Sequence, residues 1–238
     1  MPKTKPDLHL KLITKMYPRA PVVEAYRVLR TNLQFVSLDN PVKTIAVTSA
    51  TPMEGKTLTS VNLAIAMALS GDRVILVDSD LRRPSVHKAL EMENAFGLTN
   101  VLAGGVPLDE VLRDAAAEGL KVITCGPIPP NPAELLGSAR MRDFLQDLKS
   151  KADKVILDGP PVLGTADASL LASISDGVLL VCRAGQVSYT LAQKSKEILQ
   201  NAHSRILGVV LGGIHVSGRD EYYYYCYYYD SRGPEDGR

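Results

Sequence analysis

The chain has 238 residues, 45% of them hydrophobic, and its 27 lysines and arginines nearly balance 26 aspartates and glutamates. This length allows one substantial core, and the balanced charge does not favour a nucleic-acid-binding protein. The three cysteines, Cys125, Cys182 and Cys226, are odd in number and far apart. They fit neither a disulfide framework nor a zinc site, and a reducing cytosol suits them best. No apolar run reaches the roughly 18 residues that a membrane span needs.

The first 20 residues combine prolines with scattered charges, and we predict an extended N-terminal arm there. A helix is expected from Val22 to about Val36. Six β-rich runs follow, and most are continuously apolar, as in strands buried on both faces of a parallel sheet. These runs are 43–50, 72–80, 119–126, 153–161, 176–184 and 204–214. Helical patterns separate them at 55–71, 133–151 and 188–202.

This alternation predicts an α/β fold, with a parallel sheet and helices on both of its faces. We expect one domain over residues 21–214 and a flexible tail over 215–238. The tail contains the stretch "DEYYYYCYYYDSRG". A strand with one buried face needs alternating residues, whereas identical rings would occupy both faces, so we expect these tyrosines to be presented to a partner. They are Tyr222, Tyr223, Tyr224, Tyr225, Tyr227, Tyr228 and Tyr229.

The stretch "TSATPMEGKTLTS" (48–60) joins a predicted strand to a predicted helix and has the features of a phosphate-binding loop. Backbone N–H groups of such a loop surround phosphate oxygens, the lysine reaches the terminal phosphates and the hydroxyl binds Mg²⁺. Gly55, Lys56 and Thr57 take these positions, although Ala50 replaces the usual first glycine. The alternative is a chance Gly-Lys-Thr at a helix start. The expected nucleotide-binding residues are Thr51, Pro52, Met53, Glu54, Gly55, Lys56, Thr57 and Leu58.

Three aspartates close predicted buried strands. Asp78 and Asp80 lie in "VILVDSDLRRP", and Asp158 lies in "KVILDGPP". A single such residue is most often a turn former or a helix cap. Three carboxylates at the carboxyl ends of parallel strands, together with a phosphate loop, instead predict a site that holds Mg²⁺ or accepts a proton.

Together, "SATPMEGKT", "VILVDSDLRRP" and "KVILDGPP" resemble the Walker A, Walker A′ and Walker B motifs of the bacterial tyrosine kinases. The segments "GLTNVLAGG" and "PIPPNPAELLGS" and the tyrosine-rich end extend the resemblance over nearly all of the chain after Glu24. Related ATPases of septum positioning and chromosome partitioning usually have a lysine where this chain has Thr51. That difference favours the kinases.

The resemblance implies transfer of the γ-phosphate of ATP to tyrosines, including those of the tail. Asp78 is then the expected base, and Lys56 stabilises the charge on the transferred group. Asp80 contributes to catalysis and, with Thr57 and Asp158, holds Mg²⁺. Arg82 and Arg83 follow the two aspartates of the A′ motif closely. They either hold substrate or phosphate or are solvated charges of a loop.

The helix segment "EAYRVLR" places Glu24, Arg27 and Arg30 on one face, which alone indicates an ordinary solvated surface. In the bacterial tyrosine kinases this pattern lies between subunits, so the resemblance implies contacts in a homo-oligomeric ring. Relatives often have asparagine where this chain has Gly212, which leaves adenine recognition there open.

The resemblance also implies a stand-alone kinase of capsule or exopolysaccharide synthesis and export, cytoplasmic and recruited to the inner membrane face by a transmembrane activator or adaptor protein. Protein tyrosine substrates and a cognate phosphatase are the further expected partners, and nucleic acid is not. Two alternatives remain. One is a partitioning-type ATPase switch that changes partners on binding ATP. The other is a polymer-assembly scaffold whose phosphorylation tunes its contacts.

Overall fold

The computed structural model describes residues 12–13, 20–38 and 40–214. The N-terminal arm lies largely outside these ranges, and the tail with its tyrosines lies wholly outside them. Leu12 and Ile13 are buried, and the backbone N–H of Ile13 donates to Asn62 Oδ1 at 3.0 Å. These two residues of the expected arm therefore pack on the domain.

The elements follow each other in the expected alternation. The strands are β1 (Thr44–Ser49), β2 (Val74–Asp78), β3 (Arg113–Asp114), β4 (Leu120–Ile123), β5 (Lys154–Asp158), β6 (Gly177–Arg183) and β7 (Ile206–Gly212). The helices are α1 (Pro21–Val36), α2 (Lys56–Ala68), α3 (Val86–Ala89), α4 (Leu98–Ala103), α5 (Leu108–Val111), α6 (Pro132–Leu136), α7 (Ala139–Lys151), α8 (Asp167–Ile174) and α9 (Tyr189–Asn201).

The strands form one sheet in the order β3-β4-β2-β5-β1-β6-β7. Neighbouring strands run parallel except at one edge, where the two-residue β3 pairs antiparallel with β4. The predicted parallel sheet is thus confirmed. The strand β3 was not predicted, because it has only two residues and both are polar. The order places β5 between β1 and β2, so the carboxyl ends of these three strands meet.

Helices cover both faces of the sheet, as predicted, because the central strands are apolar on both sides. Ala46 and Ile75 belong to a core that includes Met141 and Phe144 of α7. Ile45 and Leu76, the adjacent residues, belong to the opposite core, which is built largely on α2. All but one residue of α2 are buried, so the helix behind the phosphate loop is fixed by packing on all sides.

Two expected elements differ from the structure. The helix expected over 133–151 is two helices, because α6 ends at Gly137 and the Ser138 hydroxyl accepts the Met141 N–H at 3.1 Å and caps α7. Most of the predicted strands were expected to be buried on both faces, but the last, β7, is an edge strand whose Val209 and Leu211 are exposed.

None of the helices in the described ranges is long and apolar enough to cross a membrane.

Candidate active site

The phosphate loop joins β1 to α2 at the centre of the sheet. Gly55 ends the loop with a φ of +95°, a left-handed conformation that suits glycine. No side chain caps α2, whose residues are all described, so the first N–H groups of the helix remain donors directed toward the loop. Such a helix terminus is suited to bind an anion. The backbone therefore has the geometry that the sequence predicts for phosphate binding.

Two side chains in the loop hold its shape. Glu54 is only 2% exposed, and its Oε1 accepts hydrogen bonds from the backbone N–H and the hydroxyl of Thr51. Its Oε2 accepts the N–H of Arg183 at 3.2 Å, which ties the loop to the end of β6. Gln186 adds a second tie by donating to Pro52 O at 3.0 Å. Thr51 and Glu54 thus act on the loop itself.

Lys56, the first residue of α2, forms a buried ion pair with Asp80. Its Nζ lies 2.8 Å from Asp80 Oδ2. Burial opposes the charge on the lysine, but Asp158 and Asp80 outweigh it and raise the pKa of Lys56, so the ammonium is retained. Asp80 Oδ1 accepts the N–H of Arg83 at 3.0 Å, which fixes the orientation of the carboxylate.

Asp158, at the end of β5, is fully buried and accepts two hydroxyl groups. Thr57 Oγ1 donates to its Oδ2 at 2.7 Å, and Ser60 Oγ donates to its Oδ1 at 2.9 Å. Burial dominates the raised pKa of Asp158, although Lys56 and the two hydroxyls oppose it. Ser60 was not among the site residues predicted from the sequence. Its signal was its position three residues after Thr57, which places both hydroxyls on one face of α2.

Asp78 ends β2 and lies directly across from Asp158 in the β2–β5 pair. Its Oδ2 accepts the N–H groups of Ser85 and Val86, both at 2.9 Å. Its Oδ1 is buried and has no hydrogen-bond partner among the residues that the structure describes. Burial, and then the charge of Asp158, raises the pKa of Asp78 to about 8. The carboxyl group thus offers one oxygen for further chemistry.

The two arginines of the A′ motif have different surroundings. Arg82 Nε and Nη2 donate to the two carboxylate oxygens of Asp167, at 2.7 and 3.2 Å. The side chain of Arg83 is exposed. Arg82 is the ion-pair partner of Asp167, a contact that the sequence did not suggest. Asp167 was missed because it starts a helix far along the chain and belongs to no motif.

The donor set suits Mg²⁺. In the part of the chain that the structure describes, no three His, Cys, Asp or Glu side chains are arranged to hold a metal by themselves. Mg²⁺ is commonly bound through one or two carboxylates and the phosphates of a substrate. Asp80, Asp158 and the Thr57 hydroxyl offer oxygen atoms of that kind, and Thr57 and Asp158 are in direct contact at 2.7 Å.

The three polar residues of α1 do not form one uniform surface. Arg27 pairs with Glu24 at 3.1 Å on the exposed side of the helix. Arg30 is half-buried and its Nη1 lies 3.4 Å from the carbonyl oxygen of Ala66 in α2. Glu24 and Arg27 are therefore accessible to a neighbouring molecule, whereas Arg30 is directed at its own domain.

Gly212 is the last residue of β7, and its carbonyl accepts the N–H of Ala184 at 2.9 Å. Among the described residues, a Cβ at this position would meet only Cys182 O, at 3.9 Å, so packing against them does not require a glycine here. The seven tyrosines beyond it lie outside the described residues.

Comparisons with known proteins agree with this geometry. The sequence model of the family described as ParA, NUBPL iron-transfer P-loop NTPase, matches residues 40–215. The tyrosine-protein kinase YwqD of Bacillus subtilis is 41% identical over 214 residues, which are 90% of this chain and 90% of that protein. The chain belongs to the bacterial tyrosine kinase family.

Two further members of the bacterial tyrosine kinase family show how the match extends. A putative tyrosine-protein kinase in the cps region of Klebsiella pneumoniae is 35% identical over 89% of this chain and 29% of its own length. The kinase domain of Escherichia coli tyrosine kinase ETK has a TM-score of 0.82 and 36% identity, over 88% of this chain and 82% of that one. The P-loop NTPase-like fold expected from the motifs is confirmed.

Proposed function

We propose that this protein is an ATP-dependent protein tyrosine kinase. The observation that carries the proposal is the environment of Asp78. Its buried carboxyl group lies close to Lys56 and the phosphate loop, and no described residue donates to its Oδ1. A nucleotide switch needs to position water, whereas a kinase needs a group that receives the proton of an incoming hydroxyl. The names of the relatives point to the same activity.

In the proposed reaction, the phenolic oxygen of a tyrosine forms a bond to the γ-phosphorus of ATP, and the bond from that phosphorus to ADP breaks. The proton of the phenol passes to the ionised, carboxylate form of Asp78. A phenol has a pKa near 10 and gives up its proton far more readily than a serine hydroxyl. Lys56 supplies positive charge to the transferred group, and the backbone of the phosphate loop, residues 51–58, holds the phosphates.

Asp80, Asp158 and Thr57 are the residues that would hold Mg²⁺. When bound, the ion would neutralise charge on the phosphate oxygens. Ser60 fixes the second oxygen of Asp158, and the N–H of Arg83 fixes that of Asp80. The chain thereby holds both carboxylates in orientation before any ligand arrives.

The tail is the proposed substrate within the chain. Seven tyrosines in eight positions give a dense set of acceptors, and a segment of about 25 residues following β7 would, if extended, have the length to reach the site of a neighbouring copy. We propose phosphorylation in trans between copies held in a ring through the exposed Glu24 and Arg27.

The proposed setting is capsule or exopolysaccharide synthesis and export. The cps-region name of the Klebsiella relative supports it. In this setting a transmembrane activator or adaptor protein would bring the kinase to the inner face of the cell membrane. A cognate phosphatase would reverse the modification. The purified protein should then be slow alone and accelerated by the cytosolic segment of the activator.

The test of the activity uses ATP labelled at the γ-phosphate, with Lys56→Met and, as a control, Lys121→Met. The side chain of Lys121 pairs with Asp114 on the exposed edge of the sheet. A kinase transfers label to tyrosine in the wild type and in Lys121→Met. In Lys56→Met, transfer should fall by about two to three orders of magnitude. Release of inorganic phosphate without labelled tyrosine would instead establish the switch, the alternative that the ParA family match keeps open.

A further inference from the structure

A bidentate ion pair joins the segment after β2 to the helix after β5. The guanidinium of Arg82 meets both oxygens of Asp167 at 2.7 and 3.2 Å. Asp167 is fully buried, while 45% of the Arg82 side chain is exposed. Two parallel charge-assisted hydrogen bonds fix orientation as well as distance. A buried carboxylate held in this way is a firm anchor for a surface loop.

Arg82 lies in the A′ loop, which we define as residues 79–85. Apart from the Ser85 carbonyl, which accepts the Ala89 N–H in α3 at 3.0 Å, the other described hydrogen bonds of this loop involve residues of the candidate active site. Ser79 N–H donates to Asp158 O at 2.9 Å, and Arg83 N–H donates to Asp80 Oδ1 at 3.0 Å. The Ser85 hydroxyl lies 2.8 Å from that of Thr57, and the Ser85 N–H binds Asp78. The loop thus supports the base and both carboxylates proposed for Mg²⁺.

We infer that Arg82 is a positioning residue that acts through Asp167 and does not touch the phosphates. The pair holds the A′ loop against the start of α8 and thereby keeps Asp80 and Asp78 in the orientations that phosphoryl transfer needs. The expected effect of the Arg82–Asp167 pair on catalysis rests on the proposed function. The expected effect of the pair on Mg²⁺ and nucleotide binding does not depend on that function.

The topology explains why this contact matters. β2 and β5 are neighbours, so the loops that follow them leave the same edge of the sheet side by side. Asp158 lies at the end of one strand, and Asp167 begins the helix after it. The pair therefore joins the two loops that carry the proposed metal ligands. Removing a contact that orients metal ligands without touching the metal commonly lowers metal affinity or activity by about 10 to 100-fold.

Two other roles for Arg82 make different predictions. If Arg82 contacted the phosphates, Asp167→Asn would release the guanidinium for that contact and activity would not fall. If the pair only stabilised the fold, activity would change in proportion to the folded fraction, and the concentration of Mg²⁺ needed for half-maximal binding would stay constant.

The experiment compares Arg82→Gln, Asp167→Asn and the double variant with matched changes in a second bidentate pair. Arg73 and Asp153 form that control pair. Their hydrogen bonds, of 3.1 and 2.8 Å, lie at the amino ends of β2 and β5, away from the candidate active site. Arg82→Gln alone leaves the Asp167 carboxylate buried and unpaired, which can unfold the protein. The double variant removes both charges and keeps the test possible if that single variant does not fold.

Three quantities are measured in folded protein: tyrosine phosphorylation, the Mg²⁺ concentration for half-maximal binding of a fluorescent ATP analogue, and the thermal midpoint. We expect Asp167→Asn and the double variant to lose about 10 to 100-fold in kcat and to require about 10-fold more Mg²⁺. The double variant should lose about as much as Asp167→Asn alone, and less than the sum of the two single losses, because both changes break the same contact. Arg73→Gln and Asp153→Asn should leave kcat and the Mg²⁺ requirement unchanged.

Normal activity in Asp167→Asn, or an unchanged Mg²⁺ requirement in both variants, would overturn the inference. Failure of the proposed function is distinguishable from these outcomes, because it would remove tyrosine labelling from the wild type as well. The binding measurement would still decide whether the pair positions the site.

Discussion

Asp78 has a position that is favourable for chemistry and unfavourable for stability. The folded protein buries this carboxyl group completely. Two backbone N–H groups donate to its Oδ2, and no described residue donates to its Oδ1. Burial and Asp158 together raise the pKa from 3.8 to about 8. Since the unfolded chain ionises Asp78 at the lower value, the free energy of unfolding decreases as pH rises from about 4 to about 8.

Asp78→Asn should therefore make the protein more stable and less active. The amide oxygen can accept the same two N–H groups, and the ionisation penalty disappears. We expect a thermal midpoint that is several degrees higher at pH 8, with the gain shrinking toward pH 5, when scans are recorded in EDTA without nucleotide. Tyrosine phosphorylation should be lost while nucleotide affinity changes little. A gain that is equal at both pH values would assign the instability to another group.

Single residues were predicted from the sequence when they belonged to a motif. Asp78 and Asp80 come from one segment and Asp158 from another, and the structure brings all three together with Lys56 as the motifs implied. Asp167 could not be found in this way. Its role depends on the packing of α8 against the A′ loop, and no local pattern encodes that contact.

At the scale of elements, the phosphate loop is positioned by the strand that precedes it. The start of β1 is held by Asp176, whose Oδ2 accepts the N–H groups of Lys43 and Thr44 at 3.0 and 2.7 Å. Lys149 Nζ donates to the other oxygen at 2.9 Å. Burial alone would raise the pKa of Asp176, but these hydrogen bonds outweigh it and lower the value. Asp176 thus fastens β1 to α7 and β6.

Asp176→Ala should destabilise the protein by about 1–3 kcal/mol at neutral pH, because two partly buried N–H groups lose their acceptor. A carboxylate with a lowered pKa contributes its stability above the ordinary pKa of 3.8, and loses it as pH falls through the folded value. The difference from the wild type in urea unfolding should therefore shrink below about pH 4. Asp176→Asn, which keeps an acceptor for the N–H groups, should cost less than the alanine variant.

Most elements were predicted because their patterns are strong. The buried strands are continuous apolar runs, and the bounds of α1 and α9 differ from expectation by a residue or two. The break between α6 and α7 was hidden because Gly137 and Ser138 interrupt an otherwise helical pattern only briefly. Its position is decided by the cap of Ser138. The short α3, α4 and α5 place Val86, Leu102 and Val111 in the two cores, so they depend on tertiary packing.

At the scale of the whole molecule, α1 is the clearest candidate for contact between copies. The side chains of both Glu24 and Arg27 are exposed. Further along the same helix, Val28 and Phe35 are 37% and 64% exposed. Apolar and charged groups together on one helix face are usual at protein interfaces. Arg30 has a different role, because its contact with the Ala66 carbonyl supports the packing of α1 on α2.

Light scattering can test the ring and its control by phosphorylation. Each phosphotyrosine adds about −1.5 to −2 charges, so modification of several tail tyrosines should repel neighbouring copies and reduce the solution mass to monomers or small species. Unphosphorylated protein and a variant with all seven tail tyrosines changed to Phe should form a large assembly.

Variants of α1 separate an interface from a folding effect. Arg27→Ala should abolish the assembly and leave the thermal midpoint nearly unchanged, because the exposed pair with Glu24 adds little to stability. Arg30→Ala should lower the midpoint, since its contact lies within the domain. Lys196→Ala, an exposed lysine on α9, should preserve both mass and midpoint. If phosphorylated protein kept the full mass of the assembly, repulsion between tails could not be the switch, and if Arg27→Ala kept it, the contact between copies must lie on another face.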